Sequence, residues 1–243
     1  MSKKPKKHAS SPEPKPQKAQ RTFFSGRDGL GAYTVDPKAF PPDRVIYYND
    51  DFTFINDLYP KSTVHCLVLP RDEVMNVQHP FDAFEDPAFL AKVQEEVKKA
   101  RTIVADELRR RYGRFSAADA PRLAAMESDD IPATLPPGRD WSKDVVTGIH
   151  AHPSMAHLHV HVMSRDMVGP CMRHRKHYES FNTPFLVDVD QFPLARDDPR
   201  RHPGRSGFLD QDLKCWRCGR DFGHKFAKLQ AHLEEEFEDW KRQ

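Results

Sequence analysis

Between Met155 and Asp166 the chain reads Met-Ala-His-Leu-His-Val-His-Val-Met-Ser-Arg-Asp. His157, His159 and His161 alternate there with Leu158, Val160 and Val162. Extended backbone turns successive side chains to opposite faces, so a strand would line up the imidazoles in front of a buried aliphatic row. Such a row can attack, orient a partner or pass protons near neutral pH. A neutral imidazole is a good nucleophile toward phosphorus, and a phosphoramidate on histidine hydrolyses readily. His159, in the middle, has a neighbour on each side to orient it and to donate to phosphate oxygens. Just before it, His150-Ala-His152-Pro-Ser154 is a second polar cluster that can face the same phosphates from an adjacent loop. Zinc is the competing account, because imidazole is a common metal ligand. Three ligands at two-residue spacing on one strand diverge, however, and no acidic second layer stands out. No catalytic metal is expected on that basis.

A second set of reactive residues lies near the C-terminus. Cys215-Trp-Arg-Cys218 is followed by Phe222, Leu229 and His232, the layout of a ββα zinc finger. Glu236 lies one helical turn beyond His232 and faces the same way. Two thiolates, one imidazole and one carboxylate would close a tetrahedron, with Glu235 and then His224 as alternatives for the fourth place. So small a module has too little core to fold unaided, which implies structural Zn2+. Its helix end carries Glu234, Glu235, Glu238 and Asp239, which repel phosphates, whereas Arg217, Arg220, Lys225 and Lys228 attract them. The expectation is contact with a nucleic-acid backbone, without base reading.

These residues need elements to hold them. Val45 to Tyr48 and Phe52 to Ile55 read as two strands joined by the turn Asn49-Asp50-Asp51, and Val64 to Leu69 as a buried strand ended by Pro70. Phe89 to Tyr112 reads as a helix with Val93, Val97, Ala100, Val104 and Leu108 on one stripe. Arg109, Arg110 and Arg111 suit its C-terminal end. Residues 113–143 show little periodicity and read as a loop insertion of unassigned role. The histidine strand follows, then Phe181 to Val187 as a further strand. The fold class is α+β. Residues 26–187 form the main domain, 188–207 a connector with Arg196, Arg200, Arg201 and Arg205, and 208–243 the metal module.

The chain has 243 residues, 38% of them hydrophobic, and a net charge of +2, enough for one ordinary domain plus something small. Its first twenty residues set Lys3, Lys4, Lys6, Lys7, Lys15 and Lys18 against Glu13 alone, with almost nothing apolar. Residues 1–25 therefore read as a disordered basic tail, suited to nuclear import or phosphate contact as well as to plain solubility. No apolar run is long enough to span a bilayer and no signal-peptide core follows the start, so no membrane is expected. Four cysteines, two of them close together, fit a reducing compartment better than a disulfide scaffold.

His157-Leu-His159-Val-His161-Val-Met163 resembles the histidine-triad signature of nucleotide hydrolases and transferases. Asp57-Leu-Tyr-Pro60-Lys61-Ser-Thr-Val-His65, His150 through Ser154, and Cys171 through Asn182 narrow the resemblance to the aprataxins. It runs from about residue 26 to the C-terminus, in a form with no phosphopeptide-binding domain before the catalytic part. The resemblance implies a histidine-triad fold, an antiparallel sheet with helices, followed by a zinc finger. It implies removal of AMP from adenylated DNA 5′ ends left by abortive ligation, in the nucleus or also the cytoplasm. His159 would be the nucleophile that carries AMP, His157 and His161 would position it, and His150 would face the leaving group. Asp57 would hold the ribose hydroxyls, with Ile55 and Leu58 near the base, and Lys61, His65 and Ser154 around the phosphate. Arg71, Asp72 and Lys176 fall where aprataxins touch the DNA strand. The partners implied are DNA with adenylated 5′ ends, at nicks, breaks or RNA–DNA junctions, and AMP as product. The family commonly has histidine where Glu236 stands. Leu30 and Tyr33 are taken as exposed candidates for stacking on a terminal base pair.

Plainer readings stand beside these. Asp57 and Lys61 can be solvated loop charges, and His65 on an apolar strand can be a core histidine. A small-molecule histidine-triad hydrolase explains the triad but not the metal module or the basic segments. A non-catalytic zinc-finger DNA-binding protein explains the C-terminus but not the histidines.

Overall fold

The computed structural model describes residues 26–243, so the basic tail expected over residues 1–25 lies outside the described residues. Six strands form one antiparallel sheet in the order β1-β2-β3-β5-β4-β6. They are β1 (Val45–Tyr48), β2 (Phe52–Asn56), β3 (His65–Pro70), β4 (Val145–His150), β5 (Val160–Ser164) and β6 (Leu186–Val187). Among the described residues seven α-helices accompany it: α1 (Gly31–Val35), α2 (Pro80–Ala83), α3 (Pro87–Tyr112), α4 (Ala120–Met126), α5 (Arg175–Asn182), α6 (Pro203–Ser206) and α7 (Phe226–Trp240). Among the described residues no helix is long and apolar enough to cross a membrane.

The sheet has two unlike faces because its strands alternate. Phe52, Phe54, Cys66, Val68, Val160 and Val162 meet Val93, Val97, Ala100, Val104 and Leu108 of α3 in the main core. Helix α3 starts where the Asp86 carboxylate accepts hydrogen bonds from the Ala88 and Phe89 amides, with Pro87 at its first position. The other face carries Ile55, Leu67 and Leu69, covered by Leu30 and Tyr33 of the α1 segment, and here the histidines emerge. Leu30 and Tyr33 are each only 8% exposed, so they seal this smaller core rather than offering rings for stacking.

Two further expectations change. Phe181 is not strand: Arg175–Asn182 is a helix, and β6 keeps only Leu186–Val187. Residues 113–143 include α4 and a short 3-10 turn at Gly113–Phe115, so they are not plain loop. The connector is also less independent than its composition suggests. Val189, Phe192 and Leu194 lie in the main core, Arg200 pairs with Asp198 at 2.7 Å, and Arg201 pairs with Glu85 at 3.0 Å. In the metal module the two short strands reduce to one antiparallel bridge, Lys214 to Asp221, before α7.

Two loops are strapped together beneath the histidine face. The Lys61 carbonyl accepts from the Gly169 amide at 3.0 Å and the Pro60 carbonyl from the Cys171 amide at 3.0 Å. Buried Asp166 accepts from the Thr63 amide and hydroxyl, the Ser164 hydroxyl and the Val168 amide, which satisfies a carboxylate removed from water. Burial is the leading influence on its pKa and holds it above the usual value. A Cβ on Gly169 would stand 2.5 Å from Lys61 C and Ser62 N, so only glycine allows this approach. Gly169→Ala is expected to destabilise the protein by about 1–3 kcal/mol, because backbone rather than a movable side chain must yield. Urea unfolding checks this: an unchanged midpoint would show that the strap is loose.

Candidate active site and metal centre

The histidine run enters the sheet later than its pattern suggests. Strand pairing on β5 starts at Val160, opposite Val68, so only His161 of the three lies on a strand. His157 and His159 sit in the segment leading to it. There the Leu158 amide bonds to the Asn76 carbonyl instead of a neighbouring strand. The alternation survives, with Leu158, Val160 and Val162 in the α3 core.

His159 Nδ1 lies 2.7 Å from the His157 carbonyl oxygen. A carbonyl can only accept, so Nδ1 carries the proton and Nε2 of a neutral His159 carries the lone pair. Burial lowers the His159 pKa, opposed by that same hydrogen bond and by Asp57, so the ring is neutral near pH 7.

A second chain of hydrogen bonds sets the neighbouring rings. The Lys61 amide donates to His65 Nδ1 at 3.1 Å, which leaves the proton of neutral His65 on Nε2. That nitrogen is 2.9 Å from His161 Nδ1 and 3.4 Å from Asp57 Oδ2. His161 Nδ1 therefore accepts, and its proton sits on Nε2, a buried atom with no partner within the described protein. Burial holds His65 down at about 4 and His161 well below its usual value. The row thus presents a lone pair on His159 beside an N–H donor on His161, with ring centroids 5.0 Å apart.

His150, on the adjoining strand β4, completes the cluster. Its ring lies 4.6 Å from that of His161. Burial, then His159, pushes its pKa down to about 3. Phe181 is the residue that sequence reasoning missed. Its ring lies 4.7, 5.0 and 5.5 Å from His150, His161 and His65, an apolar wall that keeps all three uncharged. An apolar residue gives no chemical signal of its own, and its place depends on α5 rather than on a strand.

The nucleotide-side residues divide. Asp57 Oδ1 accepts from the Tyr59 amide at 2.8 Å, which turns the loop and aims Oδ2 at His65. Lys61 is half-buried, its ammonium bonded to the Tyr59 carbonyl, and burial lowers its pKa. Leu58 is 55% exposed, whereas Ile55 is 1% exposed inside the smaller core, so only Leu58 offers surface to a base. Ser154 is exposed on the loop between β4 and the histidine run, and buried His157 contributes its carbonyl and feels the Asp28 carboxylate. Arg71 and Asp72 have local duties. Arg71 donates to the Thr34 and Asn49 carbonyls at 2.9 and 2.6 Å, and Asp72 accepts from the Val74 and Met75 amides at 2.9 Å. Lys176 is exposed in the first turn of α5.

Cys215, Cys218, His232 and Glu236 converge, with one ligand atom from each lying within 4.8 Å of the others. Cys218 Sγ is 3.1 Å from His232 Nε2, which is 3.2 Å from Glu236 Oε1. Zinc bonds of about 2.0–2.3 Å imply tetrahedral edges of roughly 3.3–3.8 Å, so this donor set fits a zinc ion with small shifts. Arg217 bonds the other Glu236 oxygen, as an outer partner that orients a ligating carboxylate. Glu235 reaches only the far nitrogen of His232, at 3.8 Å, and His224 lies against Arg175, so neither replaces Glu236.

Residues 39–168 match the HIT domain family, and residues 182–239 match the C2HE / C2H2 / C2HC zinc-binding finger family. The chain is 34% identical over 225 residues to an aprataxin-like protein of Schizosaccharomyces pombe, covering 93% of this chain and 86% of that protein. Its structure is similar to a crystal structure of the aprataxin ortholog Hnt3 in complex with DNA. The TM-score is 0.68 and the identity 31%, over 88% of this chain and 96% of the other. A structure of Hnt3 in complex with DNA and guanosine gives a TM-score of 0.67 at 32% identity, again over 88% and 96%. With a HIT domain carrying the histidine row and a C-terminal zinc-binding finger, the chain belongs to the aprataxin family.

Proposed function

We propose that this protein removes AMP from adenylated DNA 5′ ends through a covalent AMP intermediate on His159. The observation that carries the proposal is the His157 carbonyl holding the Nδ1 proton of a neutral, buried His159, which leaves Nε2 as the nucleophile. Nε2 attacks the AMP phosphorus, an N–P bond forms, and the bond to the oxygen of the DNA 5′-phosphate breaks with its electron pair. That phosphate has a second pKa of about 6, so it departs at pH 7 without needing a strong acid. This suits His150, which is uncharged in the free protein. His161 Nε2–H and the Lys61 ammonium supply donors and charge for the phosphoryl oxygens. Water then takes the leaving group's place, the N–P bond breaks, and AMP is released. Two displacements at one phosphorus retain its configuration.

In this reading Asp57 would hold the ribose hydroxyls of AMP and Leu58 would meet its base. The likeness to proteins crystallised with DNA, and with DNA and guanosine, supports a nucleic-acid substrate and a nucleoside pocket. Exposed Lys176 is a candidate for strand contact, whereas the Arg71 side chain retains only part of its donor capacity. The lysine-rich first twenty residues support a nuclear location. In the finger, Cys215, Cys218, His232 and Glu236 would hold a structural Zn2+, which cross-links the knuckle to α7 and supplies folding energy.

A single-turnover assay on a nicked duplex bearing 5′-AMP, beside diadenosine polyphosphate and an AMP–amine conjugate, tests the reaction. DNA is expected to be deadenylated far faster than either small compound, and His159→Ala to abolish turnover. Turnover of the small compounds alone would instead identify a general nucleotide hydrolase. For the metal, the purified protein is expected to carry one zinc per chain by elemental analysis. Glu236→Ala should lose it to a mild chelator and Glu236→His should keep it. A zinc-free, fully folded wild type would remove the metal from this account.

A further inference from the structure

Residues 113–144 take no part in the histidine chemistry, yet they grip the finger's helix. Helix α7 carries His232 and Glu236 and, one turn further, Trp240, which is 1% exposed in the main core of the catalytic body. Trp240 Nε1 donates to Asp144 Oδ1 at 2.7 Å, and Arg139 donates to the Trp240 carbonyl at 2.6 Å. Arg139 also pairs with Asp144 at 2.8 Å and lies over the Trp141 and Trp240 rings, 4.0 and 4.9 Å from their centroids. Asp119 ties the seat together, accepting from Trp141 Nε1 at 2.8 Å and from the Arg139 amide at 3.0 Å. The Ala117 amide bonds to the Arg242 carbonyl at 2.9 Å, just past α7.

The finger's other end is anchored separately. The Tyr178 hydroxyl of α5 donates to the Lys214 carbonyl at 2.7 Å and accepts from the Trp216 amide at 2.9 Å, so it brackets Cys215. Tyr178 lies one turn before Phe181, the ring behind the histidines. Helix α7 has 15 residues and so spans roughly 22 Å. The near part of the finger is also packed on the body, with Leu213, Cys215, Leu229 and Leu233 against Met163, Met172 and Tyr178. Losing the seat would let the far end of α7 swing about that packing. A pivot of roughly 10° would carry a group 20 Å away by about 3.5 Å, whereas in-line attack tolerates about 0.5 Å.

We propose that residues 113–144 are a seat that fixes the finger's orientation toward His159, and that this orientation makes adenylated duplex a better substrate than small adenylyl compounds. Trp240 and Arg139 are then positioning residues for the DNA reaction. The inference rests on the deadenylase reading above. Folded body and zinc module form one template: the histidine pocket holds AMP, and the seat keeps the finger where the rest of the duplex passes.

The test compares wild type with Trp240→Ala and with Arg139→Ala, the second of which leaves the aromatic core intact. Turnover is measured on the nicked 5′-AMP duplex and on an AMP–amine conjugate, with hydrogen exchange of α7 and β5 and zinc content followed alongside. Expected is a loss of about 10- to 100-fold in kcat/KM on DNA, with the conjugate turned over as by wild type. Zinc should stay bound, with faster exchange in Phe226–Trp240 and unchanged exchange in Val160–Ser164. Equal losses on both substrates would overturn the proposal, since the seat would then merely support the core. It would also be overturned by a helix that exchanges faster while the DNA preference stays intact. A wild type that ignores the DNA would overturn the deadenylase reading itself, a result distinct from a wild type that prefers DNA and variants that do so equally.

Discussion

The hydrogen bond from His159 Nδ1 to the His157 carbonyl, 2.7 Å long, decides which nitrogen of the central imidazole can react. An imidazole offers two nitrogens and one proton, and in water either tautomer is available. Here a backbone carbonyl from two residues earlier removes the choice. The same constraint passes through the neighbours, because the Lys61 amide fixes His65, and His65 fixes His161. Three rings are thereby assigned as lone pair, relay and donor, with the Asp57 carboxylate 3.4 Å from the relay nitrogen of His65. Burial holds all three below their usual pKa, with Phe181 walling His65 and His161.

The rest of the fold serves that arrangement. Helix α3 presses the aliphatic side of the histidine run from behind. Asp166 and Gly169 strap the loop of Lys61 to the loop after β5, so the amide that sets His65 is itself held. Helix α5 works in two directions, with Phe181 toward the histidines and Tyr178 toward the cysteine knuckle. The zinc module and the catalytic body therefore share packing, and Met163, Phe181, Cys215 and Leu229 belong to one buried cluster.

Much of this was legible in the residues because periodicity carries it. The alternation from His157 to Val162 marks which side is core, and the spacing from Cys215 to Glu236 picks out four side chains that converge in the fold. The stripe on α3 was equally plain. What escaped depends on partners distant in the chain. Phe181 reads as strand because the β-prone run to Val187 follows it, and the eight-residue helix it closes is only about two turns long. Leu30 and Tyr33 looked exposed because the small core they cover exists only after β2 and β3 have paired. The packing of residues 113–143 is hidden for the same reason, as Arg139 meets the Trp240 carbonyl only across about a hundred residues.

The most direct test of the central claim is to catch the intermediate. Duplex carrying labelled 5′-AMP is mixed with excess protein, quenched in alkaline denaturant during the first turnover, and the labelled peptide is mapped by mass spectrometry. AMP is expected on His159, bonded through Nε2, appearing and decaying at rates consistent with product release. Absence of any adduct, together with inversion at a chiral thiophosphate, would contradict it, as would label on a different residue.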